Sequence, residues 1–517
     1  MSSNSEKPNI VYILVDDMGY GDLSCNNADS AWQTPNLDAL ASSGLRFTDA
    51  HSSSAVCTPT RYGILTGRYN WRSRLKAGVV GGYTPALLEK DRTTVAGFLR
   101  EHGYHTACVG KWHVGITWPL KPDMPSDTPE EDKWKHTDYS QPVLDGPCDH
   151  GFDTFFGISA SLDMPPYVFI KDNRVTEQPS EWTEGGPEDE PPGKKRGVKG
   201  SVNYAFWRPG PKGPGFTFEN CLPRLTEKAV EYVRDRESSS KPFFLYLPLP
   251  APHTPIVPTP EFRGKSGTNP YGDFCLMVDR VVGKVVSALS ETRQEKNTVV
   301  IFASDNGCSP SARYDVLAQF GHNPSYIYRG HKADIWEGGH RIPLLVRWPG
   351  RVSPGAVTNQ TVCLTDLFAT SAEILGAEVP EDAAEDSISN LPLWLNPDLD
   401  EPVREATVHH SISGMFSIRQ GPWKLEMCPG SGGWSKPTDS EAREMDLHSI
   451  QLYDVAADPG ERTNVVDSHP EIVKKLTALL TDYVEKGRST PGRPQENTGP
   501  GWWPQLNWIP SPENSRS

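Results

Sequence analysis

The run NIVYILVDD, residues 9–17, sets the architecture that the rest of the chain follows. Its apolar part, residues 10–15, is rich in β-branched side chains and too short for a buried helix, so it predicts a strand. The run is apolar at every position, which is typical of a strand covered on both faces inside a parallel sheet. Asp16 and Asp17 follow at once and place two carboxylates at the carboxyl end of that strand.

Similar short apolar runs recur along the chain and alternate with helical patterns. In TPNLDALASSG, Thr34 is a candidate cap, Pro35 suits the first helical position and Gly44 ends the helix. Strands that alternate with helices predict an α/β domain with a mostly parallel central sheet sandwiched by helices. Further predicted strands are HTACVGKWHVG, KPFFLYLPLPAPHTP, NTVVIFASDNG and RIPLLVRWPG, and further predicted helices are TTVAGFLREHGY, LTEKAVEYVRDR, DFCLMVDRVVGKVVSALSE and TDLFATSAEILG.

The pattern changes after about residue 395. GMFSIRQGPWKLEM and QLYDVAADPGE are typical of antiparallel strands with tight turns, PEIVKKLTALLTDYVEKG is an amphipathic helix, and the tail is rich in proline and tryptophan. We therefore expect an α/β domain over residues 1–395 and a smaller α+β domain with an antiparallel sheet over residues 396–517. Within the first domain, residues from about 120 to 215 are expected to form long loop insertions near a substrate entrance. For the Glu/Lys-rich part, TEGGPEDEPPGKKRGVKG, a solvated loop without a role is the preferred interpretation.

Charge and hydropathy exclude some classes of partner. The 517 residues carry 51 Lys+Arg and 66 Asp+Glu, a net charge of -15, which argues against nucleic-acid binding. A small basic pocket on such a chain can still bind sulfate or phosphate, because nearby charges dominate at short range. No apolar run approaches the length of a membrane span, so we expect no membrane partner.

Cysteine usage and the amino terminus bear on the compartment. The nine cysteines are scattered without a CxxC pair, and their odd number gives no disulfide framework. The start of the chain has neither a basic region nor a separate apolar segment of the kind found in signal peptides. We expect a cytoplasmic protein, or a periplasmic or secreted one if a signal was removed.

Two predicted strands end in oxygen-bearing side chains. The first ends in Asp16 and Asp17, and NTVVIFASDNG ends in Asp305 and Asn306. Because ligands of open α/β sheets bind at the carboxyl ends of the strands, these four side chains are expected to converge on one edge. Such hard oxygen donors suit Ca²⁺ or Mg²⁺. Either pair alone would more often make a turn, and the two together favour a metal site.

A second candidate lies in AVCTPTRYGILTGR, residues 55–68. Pro59 suits the start of a helix, which places Cys57 at or just before the helix N-terminus, where free N–H groups stabilise an anion. If the helix already runs at Cys57, Arg61 lies on the same face. The pattern indicates an anion-binding nucleophile, and the alternative for a lone cysteine is a small buried apolar residue.

These residues carry a resemblance to a known family. CTPTRYGILTG resembles the signature Cys-x-Pro-x-Arg followed by Thr-Gly of the type I, formylglycine-dependent sulfatases, within the alkaline-phosphatase-like superfamily. The other blocks of that family occur in the same order over residues 8 to about 375. They are PNIVYILVDDMGYGDL, GKWHVG, HTP at His253, SDNG, and RGHKADIWEGGHRIP.

The resemblance implies a metal site and a modified nucleophile. Cys57 would be converted to formylglycine by a maturation enzyme, and its hydrate would supply one oxygen to the metal. One hydroxyl of the hydrate would attack sulfur and expel the alcohol, and the second would then eject sulfate. The ion would most often be Ca²⁺, with Mg²⁺ possible, and its other ligands would be Asp16, Asp17, Asp305 and Asn306.

The remaining site residues are implied in the same way. Arg61 would hold the hydrate and offset its charge. Lys111 and His113, two apart on a predicted strand and so on one face, would grip the sulfate and steady the nucleophile. His253 and Lys332 would contact the sulfate and the leaving oxygen, with His253 as the general acid.

We therefore expect an arylsulfatase-like sulfuric ester hydrolase. The long polar and aromatic loops favour a sulfated carbohydrate as substrate. A phosphonate monoester or phosphodiester hydrolase of the same superfamily is the alternative enzyme, and a non-catalytic sulfated-glycan-binding relative is the alternative of another class. Arg72 and Arg74 could bind an acidic sugar, although arginines in loops are usually solvated or paired with surface acids. His409 and His410 could line the cleft, and a structural role is at least as common for such histidines.

Overall fold

A ten-stranded mixed sheet forms the centre of the computed structural model, which describes residues 7–186 and 204–511. From edge to edge its strands lie in the order β13, β2, β12, β11, β1, β10, β4, β5, β6, β7. Their bounds are β1 (Asn9–Val15), β2 (Leu45–Phe47), β4 (His105–Lys111), β5 (Thr154–Ile158), β6 (Ile170–Lys171), β7 (Arg174–Val175), β10 (Phe243–Pro248), β11 (Thr298–Ser304), β12 (Leu344–Arg347) and β13 (Ala356–Thr358).

Smaller sheets and the helices complete the architecture. The remaining strands are β3 (Ala50–His51), β8 (Glu181–Thr183), β9 (Gly210–Lys212), β14 (Val362–Cys363), β15 (Thr407–His410), β16 (Phe416–Gln420), β17 (Trp423–Glu426) and β18 (Gln451–Asp454). The α-helices are α1 (Pro35–Ser42), α2 (Cys57–Thr66), α3 (Val95–Glu101), α4 (Phe218–Asp235), α5 (Pro270–Glu291), α6 (Tyr314–Leu317), α7 (Glu337–His340), α8 (Leu367–Leu375), α9 (Leu391–Leu395), α10 (Asp439–Glu444) and α11 (Pro470–Glu485).

The centre of the large sheet is parallel, which confirms the predicted α/β class. Strands β11, β1, β10, β4 and β5 all pair in parallel. The run RIPLLVRWPG contains β12, which differs from these five strands because it pairs antiparallel with β11. The five central strands therefore bring their carboxyl ends to one edge, where sheets of this class place their sites.

Strand β1 shows why this sequence makes a doubly covered sheet. Tyr12 and its even-numbered neighbours pack into one core with α2, α3 and α8. Val11 and Ile13 point the other way, into a second core with α1, α4 and α5. Because successive side chains of a strand leave on opposite faces, a run that is apolar at every position is buried on both faces.

The region expected to form long loops also contributes to the large sheet. Strand β5 pairs in parallel with β4 from Thr154 to Ile158, and β6 and β7 extend the sheet beyond it. The run TFFGI is short and contains Gly157, so the sequence pattern did not predict a strand there. Most of TEGGPEDEPPGKKRGVKG, from residue 187 onward, lies outside the described residues.

The last part of the chain forms an antiparallel sheet of β15 to β18, as predicted. Helix α11 packs on β16 and β17, and Trp503 of the tail is buried in the same core. The predicted boundary at residues 395/396 falls between α9 and β15 and stays a prediction. Within the described part of the chain, no helix has the length and hydropathy that crossing a bilayer requires.

Candidate active site

The two predicted metal-binding pairs meet at one edge of the sheet. Strands β1 and β11 are neighbours, and Val15 is in register with Ser304. The residues that follow each strand are therefore adjacent: the Asp17 backbone N–H donates to Asp305 Oδ1 at 3.3 Å, and Asn306 Nδ2 donates to Asp17 Oδ1 at 2.7 Å. The structure thus brings Asp16, Asp17, Asp305 and Asn306 together in a fully buried position.

The donor set fits a divalent cation. Among the described residues, Asp16 Oδ1 and Asn306 Oδ1 are buried side-chain oxygens without a hydrogen-bond partner. A buried oxygen without a partner is costly, and a hard cation is the ligand that such oxygens bind. Burial and the neighbouring Asp16 carboxylate raise the pKa of Asp305, and a bound cation would act in the opposite direction. These observations fit a Ca²⁺ or Mg²⁺ ion at this edge.

Cys57 is the first residue of α2 and is buried beside the acidic edge. Its Sγ and one carboxylate oxygen each of Asp16 and Asp305 lie within 4.8 Å of one another. Burial raises the pKa of the Cys57 thiol, against the opposing effects of Lys111 and Lys332. The helix ends at Thr66, and Gly67 follows it with a φ of 65°, a conformation that glycine adopts without strain.

Arg61 joins helix α2, which begins at Cys57, to the acidic edge. It is fully buried and lies one turn after Cys57 on α2. Its guanidinium donates to Asp305 Oδ2 from Nε at 3.1 Å and from Nη2 at 2.8 Å. Its Nη1 donates to the backbone oxygen of Lys111 at 2.8 Å, so one side chain fixes three elements of the site.

Two lysines bring positive charge to the same edge. Lys111, the last residue of β4, donates to Asp16 Oδ2 and, at 3.1 Å, to Ser161 Oγ. Lys332 Nζ lies 2.7 Å from Asp17 Oδ1 and 2.8 Å from Oδ2. Burial disfavours the charged form of Lys332, but Asp17 outweighs that effect and raises its pKa. Both ammonium groups are therefore held in place by carboxylates of the predicted metal site.

His253 lies in the loop that follows β10, with a small part of its side chain exposed. Its Nδ1 is 2.6 Å from the backbone oxygen of Thr254 and therefore carries the hydrogen, because a carbonyl only accepts. That leaves Nε2, which lies 3.6 Å from Asp17 Oδ2, free to exchange a proton in the site. Burial, followed by the charge of Lys332, lowers the pKa of His253.

His113 does not lie on the same strand face as Lys111, although the sequence predicted that it would. Strand β4 ends at Lys111, and His113 follows it with a φ of 56°, so the two do not share a strand face. Its Nε2 lies 2.9 Å from the backbone oxygen of Val80, and its Nδ1 is buried without a partner among the described residues. His113 also accepts a hydrogen bond at its backbone oxygen from Thr58, which ties it to the helix that begins at Cys57.

The structure adds residues that sequence reasoning missed. Ser161 Oγ lies between Lys111 and His253, 3.3 Å from His253 Nδ1. Asp163 is buried beside it and pairs with Arg208, whose side chain is about half exposed. No motif marks these residues, because Arg208 lies far along the chain from the loop that follows β5. They form a polar rim on one side of His253.

Comparison with known proteins extends these observations to the whole chain. A family model described as Sulfatase matches residues 8–377. The N-acetylgalactosamine-6-O-sulfatase of Bacteroides thetaiotaomicron is 34% identical over 92% of this chain and 93% of its own length. The N-acetylgalactosamine-6-sulfatase of Mus musculus is 28% identical over 98% of this chain and 91% of its own.

A solved structure agrees with the sequence relatives. It comes from work on the metabolism of multiple glycosaminoglycans by Bacteroides thetaiotaomicron and superposes with a TM-score of 0.78 at 34% identity. The match covers 92% of this chain and 99% of the other, so it extends beyond the residues of the large sheet.

Proposed function

The chain belongs to the sulfatase family, and from that premise we propose that it removes the 6-sulfate from an N-acetylgalactosamine residue of a sulfated glycan. That it is a sulfatase follows from the family. The observation that supports this substrate is the 34% identity to an N-acetylgalactosamine-6-O-sulfatase, which extends over 92% of the chain. Because the match covers 92% of the chain, the similarity is not confined to the strands of the central sheet.

The proposed reaction uses Cys57 after conversion to formylglycine by a maturation enzyme. When present, the hydrated aldehyde supplies a hydroxyl nucleophile and a second hydroxyl that allows sulfate to leave. The position supports this assignment, because Cys57 begins a helix and lies beside Asp16 and Asp305, and Arg61, one turn later, binds Asp305. A helix N-terminus with free N–H groups also suits the negative charge that develops there.

We propose Ca²⁺ as the ion, with Asp16, Asp17, Asp305, Asn306 and residue 57 as its ligands. All of the side-chain donors except the unmodified cysteine are oxygens, which favours Ca²⁺ or Mg²⁺ over zinc. When bound, the ion polarises the oxygens around the nucleophile and offsets the charge of the sulfate. The residues themselves hold the ligand atoms in place through the Arg61–Asp305 and Asn306–Asp17 contacts.

The cations of the site recognise the sulfate group. Lys111 and Lys332 are each anchored on a carboxylate, so their positions are set before the substrate arrives. A sulfate ester carries spread negative charge, and preorganised cations stabilise it without reorganisation as the bond breaks. His113, next to the site at the end of β4, steadies the nucleophile helix through its contact with Thr58.

His253 is the proposed general acid. Its Nδ1 hydrogen is committed to the backbone oxygen of Thr254, so Nε2 is the atom that can give a proton to the leaving oxygen. An alcohol of a sugar is a poor leaving group without that proton, and transfer of this kind contributes about 10²–10⁴-fold to rate.

The test compares substrates that differ in one feature. Enzyme matured with a formylglycine-generating enzyme and loaded with Ca²⁺ would be assayed for released sulfate on N-acetylgalactosamine 6-sulfate, its 4-sulfate isomer and N-acetylglucosamine 6-sulfate. The proposal expects the highest kcat/KM on the first. Cys57→Ala should abolish release, and Cys108→Ala, which changes a buried cysteine of β4, should not.

Two outcomes would overturn the substrate assignment or the reaction class. Equal or faster turnover of the 4-sulfate or the glucosamine isomer would reject the substrate. Faster turnover of a matched phosphodiester than of the sulfate ester would favour the alternative hydrolase. Binding of sulfated oligosaccharides without any sulfate release, by a sample whose formylglycine is verified by mass spectrometry, would favour the non-catalytic alternative.

A further inference from the structure

Three buried histidines converge where the antiparallel sheet meets the rest of the protein. His51 ends β3, His340 ends α7, and His409 lies in β15. One ring nitrogen of each lies within 4.8 Å of the others, and none of the three is exposed to solvent. We call this group the histidine cluster (His51, His340 and His409), and it lies outside the active site described above.

The outer nitrogen of each ring in the cluster has its own polar partner. Histidines that bind metal ions in proteins almost always donate the second ring N–H to a carboxylate, a backbone carbonyl or a similar group, which fixes the ring and its tautomer. His51 and His340 show this pattern, and His409 contacts a hydroxyl, which can accept or donate. The partners are Asp49 Oδ1 for His51 Nε2 at 2.7 Å, the Ile335 oxygen for His340 Nε2 at 2.9 Å, and Ser417 Oγ for His409 Nδ1 at 3.2 Å.

The partners determine where the hydrogens lie. Both oxygens of Asp49 accept hydrogen bonds from Arg419 at 2.7 Å, so this carboxylate is ionised and only accepts. The Ile335 carbonyl also only accepts, so His340 carries a hydrogen on Nε2. Arg419 Nη1 lies 3.1 Å from His51 Nε2, but the Asp49 carboxylate is closer, at 2.7 Å, and places a hydrogen on that nitrogen too. The Nδ1 atoms of His51 and His340 then face each other with lone pairs at a separation of 3.0 Å. Two lone pairs at that distance repel unless a cation lies between them.

A shared proton is too small a cation for the whole cluster. It would satisfy the Nδ1 atoms of His51 and His340 and would leave His409 as it is. His409 Nε2 is fully buried and has no hydrogen-bond partner within the described part of the chain, although its other nitrogen contacts Ser417. With its hydrogen on Nδ1, facing Ser417 Oγ, His409 offers a lone pair at Nε2. A metal ion would then bind all three lone pairs and remove the cost of the unpaired nitrogen.

We propose that the histidine cluster binds a structural zinc ion through His51 Nδ1, His340 Nδ1 and His409 Nε2, with a water molecule as the fourth ligand. Imidazole nitrogens suit zinc, whereas the oxygen donors of the active site suit calcium, so the two sites select different ions. Zinc–nitrogen bonds of about 2.0–2.1 Å place tetrahedral ligand atoms about 3.3–3.4 Å apart. Loading therefore opens the 3.0 Å pair slightly and tilts His409, which is stacked on His340 with 3.9 Å between ring centroids.

The position of the cluster indicates what the ion does. It joins β3 and α7 to β15, the first strand of the antiparallel sheet. Strand β15 also supports the segment that leads to the nucleophile, because the Ala55 N–H donates to the His410 oxygen at 2.9 Å and Ser54 Oγ donates to the same oxygen at 2.8 Å. The ion therefore holds together the elements behind Cys57, and its buried site gives no access to substrate.

The first experiment measures metal content in the full-length enzyme. Calcium is kept in every buffer so that the oxygen-lined site holds its own ion, and the protein is prepared in zinc-containing medium and dialysed before elemental analysis. The proposal expects one zinc per chain in the wild type and at least a tenfold lower zinc content in His409→Asn. His410→Asn is the matched control. His410 is also buried and is the next residue of β15, so its side chain points to the opposite face of the sheet from that of His409.

A second measurement uses only the wild-type enzyme, so it does not depend on whether a substituted protein folds. X-ray absorption at the zinc edge of the wild-type enzyme should show three imidazole nitrogens at about 2.0–2.1 Å. Well-folded wild-type protein without zinc, zinc that stays in His409→Asn, or an absorption spectrum dominated by carboxylate ligands would each overturn the proposal. These outcomes are independent of sulfatase activity, so they do not depend on the proposed substrate.

Discussion

Arg61 binds Asp305 through two nitrogens that converge on a single carboxylate oxygen, with Nε at 3.1 Å and Nη2 at 2.8 Å from Oδ2. This contact joins the helix that begins at Cys57 to the strand that supplies half of the predicted metal site. It leaves Asp305 Oδ1 turned toward the Asp17 backbone and the ion position. One side chain thus links the proposed nucleophile to the proposed metal site.

Replacing Arg61 with lysine should separate charge from geometry. Lysine keeps the positive charge but cannot reach Asp305 and the Lys111 oxygen together. We expect Arg61→Lys to lower kcat/KM by about 100-fold or more, the loss seen when a preorganised donor is removed. Sulfate release measured over a range of substrate concentrations checks this.

The control for that variant is another buried arginine. Arg404 Nη1 lies 3.2 Å from Asp366 Oδ2, and this pair is not part of the candidate site. Arg404→Lys should therefore lower stability and leave kcat/KM nearly unchanged. If both variants lost activity equally, Arg61 would be a general structural residue and its assigned role would be wrong.

Asn306 should control the affinity for calcium. Its Oδ1 is buried without a partner among the described residues, and its Nδ2 orients Asp17. We expect Asn306→Ala to raise the Kd for Ca²⁺ by roughly ten- to a hundred-fold, because it removes a ligand and loosens a second one. Calorimetric titration of metal-free enzyme measures the change, and Asn269→Ala, at the buried cap of α5, serves as the control. Unchanged affinity in Asn306→Ala would remove this residue from the ligand set.

His253 should matter most when the leaving group is poor. We expect His253→Gln to lower kcat on a sugar sulfate by about 10²–10⁴-fold. The loss on nitrophenyl sulfate should be much smaller, because a nitrophenolate leaves without a proton. Rates on the two substrates with the same enzyme preparation provide the comparison. An equal loss on both would indicate that His253 binds the sulfate and does not act as the acid.

Arg72 and Asp386 form a buried pair that should make stability depend on pH. Burial raises the pKa of Asp386, but the charge and hydrogen bonds of Arg72 outweigh burial and leave it below the ordinary value. Removing the carboxylate in Asp386→Asn should cost about 3–5 kcal/mol of unfolding free energy at pH 7. Arg72 is therefore committed within the protein and is not free to bind an acidic sugar.

The sign of that dependence follows from proton binding. An unfolded aspartate binds its proton near pH 3.9, before the folded one, so the stabilisation is present above about pH 4 and is lost as the pH falls below it. The difference between wild type and Asp386→Asn in urea unfolding should therefore shrink from pH 7 to pH 3.5. A difference that stayed constant would show that the pair does not stabilise through charge.

The residues of the proposed metal site could be predicted from the sequence, because an apolar strand and the polar residues that follow it are both visible in a short stretch of chain. Asp16–Asp17 and Asp305–Asn306 each directly follow an apolar strand. Because neighbouring strands of a parallel sheet end at the same edge, the two pairs come together. His113 was assigned to the strand of Lys111 because the run GKWHVG shows no break. The structure ends the strand at Lys111, just after Gly110, whose positive φ of 142° and contact with the Pro248 oxygen leave no space for a Cβ atom.

Other features depend on contacts that no local pattern records. The histidine cluster joins His51 to His340, which are 289 residues apart, and adds His409 from another sheet. Single histidines in such runs carry no signal for a shared site. The Asp163–Arg208 pair is hidden for the same reason, since only the fold of the region after β5 brings the two side chains together.

Anomalous diffraction from crystals of the matured enzyme loaded with Mn²⁺ in place of Ca²⁺ would locate the ion beside the nucleophile. We expect one strong peak within about 2.0–2.6 Å of oxygens from Asp16, Asp17, Asp305, Asn306 and the modified residue 57. A fully modified, active enzyme whose peak lies elsewhere, or that shows no ion between these side chains, would contradict the proposed catalytic site.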